Sequence, residues 1–155
     1  MFRSRSQLGF TVVELLMVIV IMGFLSSIAY PRWTSVRAST KLRSARVQFA
    51  ASLATARAAA VRFGRPAQLK VSGNTIQVRA DTGGTGVFVA LAAPVALDSQ
   101  FSVTVHATVD SIVFGSRGLA TNLTSSGAYF ELAGVNIRDS VCLTRLGEVA
   151  PRGCR

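Results

Sequence analysis

The chain has 155 residues, enough for one domain plus a membrane-length segment and too short for two ordinary domains. Half of the residues are apolar and 15% are charged, which supports a packed core and excludes a disordered chain. The formal charge is +10, from 17 Lys+Arg against 7 Asp+Glu, and all the cations except Lys41 and Lys70 are arginines. Arginine binds phosphate and carboxylate in a bidentate fashion, so the excess points to a polyanion or an anionic membrane surface, or simply to a solubilising exterior.

The first element is an apolar run from Phe10 to Tyr30, preceded by Arg3 and Arg5 and carrying one charged side chain, Glu14. As a helix it would span roughly 31 Å at about 1.5 Å per residue, the thickness of a hydrocarbon core. The two arginines place its amino end in the cytoplasm and everything after Pro31 outside. Three readings are open for this run. It can be a secretory signal cleaved near Ser27-Ile28-Ala29, a plain membrane anchor, or a retained segment in which the buried carboxylate has a task. The first two leave Glu14 unexplained.

Pro31 and Gly23 weaken the helix locally. From Arg32 to Phe63 the pattern remains helical. Leu42, Ala45, Phe49, Leu53, Ala56, Ala60 and Phe63 recur at spacings of three or four and form one apolar face. Arg43, Arg46, Arg57 and Arg62 lie mostly off that stripe, on what reads as a solvated face. Gly64 and Pro66 end the helix, which is expected to run for about fifty residues.

After Pro66 the period becomes two. Leu69 and Val71, then Ile76, Val78 and Ala80, alternate with polar residues around the Ser72-Gly73-Asn74 turn, which predicts a hairpin. The loop Asp81–Gly86 is rich in glycine but opens no helix and lacks a Lys-Ser/Thr pair, so it is not expected to cradle phosphate. Val87–Ala92 is a short strand candidate. Phe101, Val103, Val105, Ala107 and Val109 alternate as a half-buried strand with His106 on the polar face. Ile112–Phe114 forms the next strand, and Gly115–Gly118 a turn. Tyr129–Leu132 and Ile137–Leu143 are expected to pair around Gly134, and Leu146-Gly147 turns the chain into Glu148-Val149. Asp110 and Glu131 can be neighbours, but nothing marks them as catalytic, and no nucleophile–base pair is visible, so an enzyme is not expected.

Cys142 and Cys154 form an even pair, which in an exported domain suggests one disulfide closing a short C-terminal loop. Two cysteines and a distant His106 do not make a metal site, and no cofactor is expected. The fold class is α+β: a long N-terminal helix packed on an antiparallel β-sheet. The expected segments are 1–9 as a cytoplasmic leader, 10–30 as a transmembrane or filament-core helix, 31–64 as its amphipathic continuation, and 65–155 as an antiparallel β domain.

Gly9-Phe10-Thr11-Val12-Val13-Glu14-Leu15-Leu16 closely resembles the class III signal of type IV pilins and type II secretion pseudopilins. The resemblance implies that a prepilin peptidase cuts after Gly9 and methylates Phe10. It also implies that Glu14 offsets the amino-terminal charge of a neighbouring subunit during filament assembly. Further along, Ile112–Asn122, with its Phe-x-x-x-Gly segment, and Val141–Gly147 resemble the GspH/FimT group, which includes FimU-like minor pilins. Membership implies a minor pilin that joins, and can prime, a type IV pilus. The alternatives are a GspH-type pseudopilin of a type II secretion system or a FimT-like DNA-binding pilin for natural transformation. The implied partners are other pilin subunits, the prepilin peptidase, an inner-membrane assembly platform and, in the last case, DNA. The implied location is the inner membrane, single-pass, with the globular part in the periplasm, and afterwards a surface pilus or a periplasmic pseudopilus. The DNA-binding members use a C-terminal Gly-Arg-x-Arg element. Here that stretch reads Gly147-Glu148-Val149-Ala150, which leaves Arg145, Arg152 and Arg155 as the candidate phosphate contacts.

Overall fold

The structure is a computed structural model that describes residues 10–123 and 127–150, without the side chains of 28–34. By its internal contacts the chain divides into two compact units, Met1–Arg37 and Ala38–Arg155. One helix, α1 (Val12–Phe63), supplies residues to both, and its assignment continues through Pro31.

In the first unit, the described part of α1 is apolar on every side. From Phe10 to Leu25 no large apolar side chain is less than 46% exposed. A helix that is hydrophobic all round belongs in lipid or inside a larger assembly.

The second unit holds the core. Leu42, Ala45, Phe49, Leu53, Ala56 and Ala60 are all buried, and this is the stripe expected from the spacing. Phe63 is a correction to that stripe: it is 38% exposed. The reason is local. α1 ends there in a left-handed turn, with Gly64 at φ +62°. The Gly64 N–H donates to Val61 O and the Arg65 N–H to Ala60 O, each at 3.2 Å. These two bonds satisfy carbonyls that the last turn would leave open, and Phe63 is the last helical residue, one stripe position past the final buried one, Ala60.

The remaining elements are β1 (Ala67–Ser72), β2 (Thr75–Ala80), β3 (Val89–Ala90), β4 (Val95–Ala96), α2 (Leu97–Phe101), β5 (Thr104–Ala107), β6 (Ser111–Phe114), β7 (Ala128–Gly134), β8 (Ile137–Leu143) and β9 (Val149–Ala150). They form two sheets, where a single sheet was expected. One runs β3-β2-β1-β6, with β4 also on β2, and the other runs β5-β7-β8-β9. Every pairing is antiparallel. β1 and β2 make the expected hairpin, with Ser72 opposite Thr75 across Gly73-Asn74. β7 and β8 pair as expected, with Gly134 opposite Ile137. The inward faces of both sheets meet α1 in one cluster, in which the Phe49 and Phe130 ring centroids lie 4.8 Å apart.

Two strand expectations need correction. The strand read from Phe101 to Val109 is only Thr104–Ala107, because Phe101 ends α2. Ser102 adopts a left-handed conformation (φ 56°) and its N–H closes α2 on Asp98 O, so the alternation of Phe101 with Val103 crosses a helix end. The Val87–Ala92 candidate shrinks to the two residues of β3, both exposed.

Candidate functional site

The head of α1 is built by its cap. Thr11 precedes the helix, and its Oγ1 accepts the Glu14 N–H at 3.3 Å, while Thr11 O accepts the Leu15 N–H at 3.2 Å. Thr11 is therefore the N-cap, and Glu14 stands at the third helical position. This is the Thr-x-x-Glu spacing of a capping box, in a first turn whose dipole favours a carboxylate. Glu14 is exposed among exposed valines and leucines, and no cation of the described residues lies within ion-pair distance of it. Phe10 is 82% exposed, and Gly9 lies outside the described residues. Among the described residues no helix is long and apolar enough to cross a membrane.

The second candidate region is the C-terminal loop. Cys142 is buried in β8 and pairs in register with Ala150 of β9. Cys154, Arg152 and Arg155 lie outside the described residues. Arg145 is exposed in the turn between β8 and β9, and its carbonyl accepts the Ala120 N–H at 3.1 Å. Three separate segments meet at this turn. Gly147 (φ +76°) lies so close that a Cβ there would stand 3.0 Å from Gly118 O and 3.2 Å from the buried Phe114 ring. Gly118 (φ +74°) lies close to α1 in turn: a Cβ there would stand 3.1 Å from Arg57 Nε and from Val61 Cγ2. Arg57 Nη1 reaches Gly147 O at 3.5 Å. The Phe-x-x-x-Gly segment thus has a physical cause: Phe114 anchors the turn in the core, and Gly118 lets it lie against the helix.

Arg57 and Arg46 correct the solvated-face reading. Both are half-buried, and Arg46 Nη1 forms an ion pair with Asp139 on β8 at 3.1 Å. Their partners are about ninety residues away in sequence, so helical spacing alone could not find them.

The loop Asp81–Gly86 spends its donors internally. The buried Asp81 carboxylate accepts the N–H groups of Gly84 and Gly86 at 2.7 and 3.1 Å. His106 is exposed and stands opposite Glu131 in the β5–β7 register. Glu131 itself is held by Arg138 at 3.0 Å, whereas Asp110 offers its carbonyl to Val71 N–H. Among the described residues no group of His, Cys, Asp and Glu could hold a metal ion.

An apolar, singly charged helix head on an α+β domain of one long helix and antiparallel sheets defines a pilin-like protein. Residues 45–147, more than half of the chain, match the family described as type II transport protein GspH, and the chain belongs to that family. Residues 4–30 match the prokaryotic N-terminal methylation motif. The fold is similar to that of the type IV minor pilin FimU of Pseudomonas aeruginosa (strain PAO1) in two crystal forms. In one the TM-score is 0.58 at 15% identity, covering 75% of this chain and 91% of that one. In the other it is 0.54 at 15% identity, covering 73% and 99%. No curated protein sequence matches the chain.

Proposed function

We propose that the chain is a minor pilin, a non-enzymatic subunit that enters a type IV pilus and can help to prime it. A prepilin peptidase would cut between Gly9 and Phe10 and methylate Phe10. The segment 10–30 would wait in the inner membrane, single-pass, with the globular unit in the periplasm, before the assembly platform moves it into the filament at the cell surface. The observation that carries this reading is the state of the helix head: every large apolar side chain from Phe10 to Leu25 is exposed, around one carboxylate that pairs with no cation among the described residues. An unpaired carboxylate in lipid costs about 3 kcal/mol, and a neighbour's amino terminus in the same low-dielectric layer would recover part of that. The helix cap supports the role, because Thr11 fixes Glu14 in the first turn, next to the place where such a terminus would come.

The test is the mass of the mature amino terminus. N-methyl-Phe10 is the expected result; a start at Tyr30 would make the run an ordinary signal peptide and end the pilin reading. A Glu14→Ala chain is expected to be processed normally but to be missing from filaments.

A second reading, a pseudopilin of a type II secretion system in a periplasmic pseudopilus, is favoured by the family description that residues 45–147 match. Loss of protein secretion with pili intact on deletion of the gene would select it. The DNA-uptake reading rests on the +10 charge and the exposed Arg145, with Arg152 and Arg155 beside it in sequence. It predicts weak, salt-sensitive binding of a DNA duplex that falls when these three are changed to Ala. A Cys142–Cys154 disulfide belongs to the proposal as well: the described residues contain no free cysteine, and the link would tie the basic tail to β8.

A further inference from the structure

The five-stranded sheet treats its two edges differently. At the β6 edge the chain closes its own ladder. The Thr121 N–H donates to Val113 O at 2.8 Å, Asn122 Oδ1 accepts the Val113 N–H at 2.8 Å, and Asn122 Nδ2 donates to Ser111 O at 2.7 Å. Among the described residues the β3 edge has no such cover. The Leu91 N–H turns to Val78 O at 3.0 Å, so by strand alternation the N–H and C=O of Ala90 point away from β2, towards the open edge.

Exposed edges are usually blunted with charges. Here Thr82–Leu97 contains no charged residue, and it exposes Val87, Val89 and Leu91 (62%, 51% and 38%). Two cations flank this bare segment. Arg65 Nη1 donates to Thr82 O at 3.2 Å, and Arg79 Nη2 donates to Phe88 O at 2.8 Å. Neither arginine has an ion-pair partner among the described residues, and the buried Arg79 Nε has no acceptor. The nearby carboxylate, Asp81, is occupied by the N–H groups of its own loop.

We propose that the β3 edge docks an extended apolar segment of a different subunit, one that carries a carboxylate beside the segment. The idea rests on reading the chain as a subunit of an assembly. Charge selects the occupant. A second copy would bring the same two arginines to the contact and be repelled, whereas an acidic flank would meet both. Main-chain bonds to Ala90 would give the grip, and contacts to Val87 and Val89 the selectivity.

The test uses the full chain, in the cells from which it comes, with the photocrosslinker p-benzoylphenylalanine at position 89. Val135, an exposed apolar residue in the β7–β8 turn, serves as the control position. The expected result is an adduct from position 89 and none from 135. Peptide sequencing should map it to an extended apolar stretch with a nearby Asp or Glu in another pilin-fold subunit. Charge reversal by Arg65→Glu should lower the yield about fivefold or more, as for a charge facing its complement at an interface. An adduct to the chain itself, an adduct to a stretch without an acidic neighbour, no adduct, or indifference to Arg65→Glu would each overturn the proposal. The mature amino terminus is measured in the same cells. N-methyl-Phe10 without the adduct overturns the docking alone; an unmethylated terminus with the adduct overturns the pilin reading alone.

Discussion

The two halves of α1 are both rich in apolar residues, but they use them in opposite ways. From Val12 to Leu25 the large apolar side chains point in all directions and every one is exposed. From Leu42 to Ala60 the buried ones form one stripe, in which Ala45, Phe49, Ala56 and Ala60 are fully buried, while Val47 stays exposed. The first half presents an exposed hydrophobic surface, the kind of helix that is stable in lipid or inside an assembly. The second half is satisfied by its own two sheets. One helix thus joins a segment built for partners to a segment built for a core.

The sharpest way to break this contrast is to cut into the packed half. Phe49 is fully buried against Phe130, with ring centroids 4.8 Å apart. Phe49→Ala is expected to cost about 3–5 kcal/mol, the range for a large aromatic lost from a core. Urea unfolding of the full chain in detergent micelles, followed by the circular dichroism of the sheets, reads this directly. A cost under about 1 kcal/mol would mean that the second half is not the core-forming half.

The next effect is expected where the C-terminal turn meets the helix. Gly147 has φ +76°, and a Cβ there would press on Gly118 O at 3.0 Å. Gly147→Ala should destabilise by about 1–3 kcal/mol, the scale of a non-glycine residue held in a left-handed conformation. The same unfolding experiment checks it. A neutral outcome would show that the turn shifts freely and does not depend on its grip by Arg57.

The core stripe, the β1–β2 hairpin and the β7–β8 pair could be read from the sequence, because their signals are local: a spacing of three or four, or alternation bracketed by a turn. What could not be read is long-range. Nothing in the period of β5 or β6 says that they belong to different sheets. α2 is five residues long and lies within a stretch whose apolar residues alternate, and the helix end at Ser102 is set by backbone conformation at a residue with no glycine signal. Arg46 and Arg57 look like surface arginines because Asp139 and Gly147 are remote in sequence. At the head, the Gly9–Glu14 motif was legible as a type of processing signal. The Thr11 cap has a local signal as well, the Thr-x-x-Glu spacing.

A smaller effect is expected at the Arg46–Asp139 pair. The N–O distance is 3.1 Å, and both side chains are 32% exposed, so water screens the pair in part. A double-mutant cycle of Arg46→Ala with Asp139→Ala should give a coupling of about 0.5–1 kcal/mol. A coupling near zero would return Arg46 to the solvated face.

The smallest expected effect belongs to the other half of the helix, and its smallness gives it force. Ile19 is 60% exposed, and no residue of the described core precedes Leu42. Ile19→Ala removes as much apolar surface as many core truncations do, yet it opens no cavity in the folded unit. The transfer term is small here, because most of the side chain is already exposed before unfolding. The unfolding free energy of the sheets should therefore change by less than about 0.5 kcal/mol, the level of a surface change. The cost should appear only where partners cover the head, as a lower yield of the chain in assembled filaments. A loss in the unfolding assay comparable to that of Phe49→Ala would show that the head packs on the chain's own domain, and the contrast between the two halves would fail.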